Sequence, residues 1–265
     1  MVGFLWGSQY LFIKIALDRL DPLAIGFLRS AIGAAFMAVI CLGIRRPGPG
    51  APGDRSPWWL IAIIGLLETG LPSLLIAWGQ QWLDSGLTAI VLGTTPLFTI
   101  LLVRIGLREH RMNRGLIAAV AIGFVGLLVL LGARIHLEAP LRLLPVAAVL
   151  LAAVCFAASI VLLTTVRGRS AATLSRDLLA WSSLPLLALW MTLGSPSTLE
   201  VDTASALAIV FLATFGGGLV FLLYILLIRH AGPTFASLSN YLVPLVGVAL
   251  GITIGREQLL ISDLF

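Results

Sequence analysis

Three ionisable side chains, Lys14, Arg29 and Glu68, interrupt long apolar runs of the chain. Glu68 lies in the middle of its run. If that run crosses a bilayer, an acidic group at its centre costs roughly 2.5–3.5 kcal/mol on insertion scales. It should therefore face the interior of a helix bundle. The chemistry open to it there is holding a proton or a ligand amine. The plainer reading is a structural partner for Lys14 or Arg29.

Lys14 is the one lysine among seventeen cationic residues. On a helix it shares a face with Gly7 and Tyr10. It could hold a carboxylate there, or snorkel to a nearby interface, and the closeness of the helix end favours snorkelling. Arg29 lies deeper in its run, so an ion pair with Glu68 is the default and a ligand contact the alternative.

Neutral polar groups recur at helical spacing around these charges. Thr69, Ser73 and Gln80 form one stripe, with Trp78 and Gln81 near its end. Thr88, Thr95 and Thr99 form another, and Ser237, Asn240 and Tyr241 precede Pro244. Tyr224 stands alone in its run. Such hydroxyls line aqueous cavities, or bond their own backbone and glue helices together. Pro96 and Pro244 each lack an N–H and clash with the carbonyl four residues back, which makes them hinge candidates or static kinks. His110, His136 and His230 are scattered, and Cys41 and Cys155 sit singly in apolar runs. No metal site, disulfide framework, phosphate-cradling loop or cofactor is expected.

The elements that must position these groups follow from composition. Of 265 residues, 59% are hydrophobic and 11% charged, against about 25% charged in soluble domains. The mean hydropathy is +1.07 and the isoelectric point near 10.0. So little charge excludes a cytosolic enzyme, a nucleic-acid-binding domain and a disordered chain. Because a bilayer core needs about 20 helical residues, the sequence reads as an all-α, multi-pass membrane protein. Spans are expected near 2–17, 22–44, 57–79, 86–107, 113–132, 142–166, 173–193, 204–228 and 233–255. The first lacks a basic flank and a cleavage site, so it is not read as a removable signal peptide.

Charge placement sets the orientation. Alternate loops hold Arg45, Arg46, Arg55, Arg108, Arg111, Arg114, Arg167, Arg169 and Arg229. The opposite set holds Arg19, Arg134, Arg142 and Arg256. The Arg-rich side should be cytoplasmic, with the N-terminus inside. The basic isoelectric point then reports topology and contact with anionic lipid, and implies no nucleic acid.

A shift of 148 residues lays segment 84–109 on 232–257. It matches Pro96 with Pro244, Leu97 with Leu245, Leu102 with Leu250, Arg108 with Arg256 and Glu109 with Glu257. The same shift matches Gly70 with Gly218, Leu74 with Leu222 and Leu75 with Leu223. Five spans per repeat is an odd number, so the halves 1–132 and 142–265 should insert in opposite orientations. Inverted repeats around a midplane site are a recurring transporter design. The register also expects a tenth helix near 261–280, which makes the sequence a truncated or partial chain.

Trp6-Gly7-Ser8 with Lys14, then Pro22 and Arg29, and the two Pro-to-Arg-Glu segments together resemble the EamA-type drug/metabolite transporter superfamily, over essentially the whole chain. That resemblance implies ten helices in two inverted five-helix repeats, and movement of small metabolites across a membrane. The expected function is a secondary transporter of amino-acid-like or related compounds, an exporter in a bacterial inner membrane. It would work by alternating access around a cavity formed by spans one, three, four, six, eight and nine. A small-molecule substrate, membrane lipids and protons as coupling ion are the partners considered. A homodimer through Gly247, Gly251 and Gly255 is the lesser alternative to internal packing. A non-transporting scaffold or inactive fragment, and a lipid-modifying enzyme, are the competing readings. The enzyme lacks the His, Asp or Ser cluster it would need.

Overall fold

The computed structural model describes residues 1–43, 56–106, 115, 118, 120–126, 143–194 and 201–253. The expectations for Arg45, Arg46, Arg55, Arg108, Glu109, His110, Arg111, Arg114, Arg134, His136, Arg142, Gly255, Arg256, Glu257 and the tenth helix lie outside these residues. All regular structure among the described residues is helical.

Helix α1 (Val2–Leu17) has 16 residues, fewer than a bilayer core requires. Asp21 then caps α2 (Pro22–Gly43), accepting from Ala24 N at 2.8 Å, while Pro22 supplies the first helical residue. The third rod runs from α3 (Trp58–Gly65) through a π turn at Leu66–Gly70 into α4 (Leu71–Gly79). The fourth consists of α5 (Ser85–Leu92), capped by Asp84, and α6 (Thr95–Gly106). Next come α7 (Leu143–Leu163) and α8 (Ala171–Leu193), the latter capped by Ser170. Asp202 caps α9 (Thr203–Ala213), which passes through a π turn at Thr214–Leu219 into α10 (Val220–Ala231). Gly232, at φ 85°, ends that rod in a conformation only glycine enters easily. The last rod is α11 (Pro233–Ser237), a 3-10 turn at Leu238–Tyr241 and α12 (Leu242–Thr253).

Six of these helices are long and apolar enough to cross a membrane: Pro22–Gly43, Trp58–Gly79, Ser85–Gly106, Leu143–Leu163, Thr203–Ala231 and Pro233–Leu250. Helix α8 is long enough, but Arg176 and Asp177 near its start lower its hydropathy.

Helix α2 lies along α8. Helix α1 packs on α9 and α12, while α7 packs on α4 and α6. The third rod contacts α8, and the rod of α9 and α10 contacts α2. Two close approaches depend on glycine. A Cβ at Gly33 would meet the Ala213 carbonyl at 2.8 Å, and one at Gly65 the Leu178 carbonyl at 2.6 Å. The two π turns obey the same offset, since Leu66 and Gly70 fall on Thr214 and Gly218.

Candidate functional site

Glu68 occupies the first π turn and is 1% exposed. A π turn carries one residue more than an α turn and re-aims the side chains around it. The Ser159 hydroxyl of α7 donates to Glu68 Oε2. The other oxygen, Oε1, is buried without a hydrogen-bond partner. Beside it, Thr69 donates to the Gly65 carbonyl at 2.9 Å and also contacts the Ser182 hydroxyl of α8.

Arg29 is 5% exposed and does not form the expected ion pair with Glu68. Its Nη2 donates to Gln9 Oε1 at 2.7 Å and to the Gly216 carbonyl at 2.8 Å, and Nη1 reaches Ser73 Oγ at 3.4 Å. The guanidinium fork thus takes neutral acceptors on the first rod, the third rod and the π turn between α9 and α10.

Lys14 neither pairs with Glu68 nor extends away from the bundle. Its Nζ donates to the carbonyls of Gln80 at 2.8 Å and Leu83 at 3.2 Å, just past the end of α4. A cation on the free carbonyls at a helix C-terminus is favourable, because those groups have no partner within the helix. Gln80 Nε2 returns a bond to the Tyr10 carbonyl at 3.2 Å, so α1 and the end of α4 are tied twice.

A small cavity of about 10 Å³ opens beside Glu68. That is room for about one water. Trp6, Gln9 and Tyr10 line it from the first rod, Glu68 from the third, and Leu92 and Thr95 from the fourth. Phe156 and Ile160 come from α7, Tyr224 from α10, and Asn240 from the 3-10 turn. These are the six spans from which the sequence builds a central cavity. Trp6 anchors the aromatic wall, edge-on to Tyr224 with ring centroids 4.5 Å apart and with Phe156 at 6.3 Å. The buried Tyr224 hydroxyl lies beside the Asn240 side chain in the cavity wall.

The threonine stripe mostly serves backbone. Thr88 bonds the Asp84 carbonyl at 2.8 Å and Thr99 the Thr95 carbonyl at 2.9 Å. Thr95 donates to the Leu92 carbonyl at 2.6 Å. Pro96, four residues beyond Leu92, has no N–H to offer that carbonyl, so the hydroxyl replaces it. The rod breaks there, between α5 and α6. Pro244 likewise stands four residues past Asn240, within the 3-10 turn of the last rod. Tyr241 donates to the Val120 carbonyl at 2.9 Å, away from the cavity's other polar groups.

The structure therefore brings Tyr10, Glu68, Thr95, Tyr224 and Asn240 to one cavity. Arg29 and Ser73 lie behind it, and Lys14 and Gln80 at the α4 end. Gln9, Ser159 and Ser182 were not singled out from sequence. Gln9 carried the clearer signal, a bare amide in an apolar helix.

The EamA-like transporter family model matches residues 1–132 and again 143–265. The chain belongs to this family. As an EamA-like transporter it is a multi-pass membrane protein of the drug/metabolite transporter type, and the family points to transport rather than catalysis. The uncharacterized inner membrane transporter YedA of Escherichia coli K12 is 27% identical, over 96% of this chain and 81% of its own length. Protein PecM of Dickeya dadantii is 27% identical, over 96% and 82%. Protein PagO of Salmonella typhimurium is 23% identical, over 94% and 81%. A crystal structure of a protein 18% identical superposes with a TM-score of 0.75, covering 99% of this EamA-like transporter and 92% of that chain, and shares its fold.

Proposed function

We propose that the chain is a secondary transporter that exports small, amino-acid-like or related metabolites by alternating access. Its halves, 1–132 and 142–265, are inverted repeats that rock around the Glu68 cavity, with Pro96 and Pro244 as hinges. The N-terminus lies on the cytoplasmic, Arg-rich side, and protons are the coupling ion through Glu68. The observation that carries this reading is a carboxylate, buried with one oxygen free, in a cavity lined from both halves.

Three further features support it. Packing contacts exchange between halves, the π turns share the repeat offset, and each fourth rod of a half is broken just ahead of its proline. Space for about one water also means that a metabolite requires the halves to separate. The test is uptake into proteoliposomes across a panel of amino acids, nucleosides and sugars, with and without a pH gradient. Gradient-dependent movement of a panel member is the expected result. No movement of any member would remove the reading.

A further inference from the structure

The cavity's own groups narrow the solute beyond an amino-acid-like metabolite. We infer that the Glu68 cavity takes a cationic amine that carries no carboxylate, an inference that rests on the transport reading above.

Among the described residues, Glu68 is the one formally charged side chain lining the cavity. Although buried, its Oε1 has no hydrogen-bond partner. An ammonium group has N–H donors for that oxygen and for the oxygens of Tyr224 and Asn240, which also line the cavity. Trp6 and Tyr224 also line the cavity, and an aromatic ring attracts a cation over its face within about 6 Å of the ring centre.

A zwitterion would need a cation for its carboxylate, and among the described residues neither Arg29 nor Lys14 lines the cavity. Arg29 gives its terminal nitrogens to Gln9, Gly216 and Ser73, leaving only its buried Nε, and Lys14 gives its ammonium to two backbone carbonyls. A solute carboxylate in this cavity would lose its water without gaining a countercharge, and would lie close to Glu68.

Binding of matched probes to the full chain in nanodiscs tests this directly. The probes are phenethylamine, phenylalanine methyl ester and phenylalanine, which share a ring and an amine but differ in the carboxylate. The amine and the ester are expected to bind at least tenfold more tightly than the amino acid. Glu68→Gln is expected to lower amine affinity at least tenfold, and Trp6→Leu about threefold. Amino acid binding equal to the amine in the unaltered protein would overturn the inference, whatever the variants do. So would unchanged amine affinity in a folded Glu68→Gln protein. Proteoliposomes separate the two levels. Movement of phenylalanine but not phenethylamine sinks the amine class and leaves transport standing, whereas a panel in which nothing moves sinks both.

Discussion

The guanidinium of Arg29 donates to the carbonyl of Gly216 at 2.8 Å, across 187 residues and into the second π turn. The same nitrogen holds Gln9 on the first helix, and its neighbour reaches Ser73 on the third rod. One side chain thus joins four rods drawn from both halves. Arg29→Lys keeps the charge but loses the planar fork. It is expected to cut transport about tenfold and to lower the melting temperature in detergent. Arg29→Met leaves the buried acceptors of Gln9, Gly216 and Ser73 unsatisfied, and should destabilise by about 1–3 kcal/mol. The fluorescence of the seven tryptophans can follow both melts.

Glu68→Gln keeps shape and hydrogen bonding but cannot exchange a proton. The expected outcome is normal expression and a normal melt, with transport that no longer responds to pH. A full pH profile in reconstituted Glu68→Gln protein would show that the coupling proton binds elsewhere.

Lys14→Met removes the ammonium from the Gln80 and Leu83 carbonyls. Leaving a fully buried acceptor unsatisfied costs about 1–3 kcal/mol, and these bonds are half-buried, so thermal stability should fall by about 1 kcal/mol. The transport KM of the surviving folded protein should change less than twofold. A large KM increase without a stability loss would instead make Lys14 a substrate ligand.

Thr95 and Pro96 should be energetically coupled, because the hydroxyl serves the Leu92 carbonyl that the proline cannot. Thr95→Val is expected to cost about 1 kcal/mol, and clearly less in a Pro96→Ala background, where a backbone N–H returns. The double-mutant cycle is read from denaturation midpoints. In transport assays Pro96→Ala and Pro244→Ala should each slow turnover several-fold with little effect on substrate affinity.

The helical framework was legible because each rod repeats the same signals of length, apolarity and boundary residues. The span expected at 22–44 is Pro22–Gly43, and that at 57–79 is Trp58–Gly79. The site was legible in part. Glu68, Tyr224 and Asn240 stood out as polar groups with no local partner. Ser159 did not, because a serine in an apolar helix usually bonds its own backbone, and it does contact the Phe156 carbonyl at 2.9 Å. Its second role depends on a residue 91 positions away. The partners of Arg29 were hidden for the same reason. Opposite charges suggested Glu68, but packing delivered a backbone carbonyl and an amide that no sequence spacing announces.

The matched π turns speak to ancestry. Such a turn is a helix with one residue too many, the mark left by a single insertion. On the reading of two related halves, its presence at the same offset in both counts as one event rather than two, older than the duplication that joined them. On that same reading Glu68 and Gly216 are equivalent positions, one offering a carboxylate to the cavity and the other a bare backbone carbonyl to Arg29.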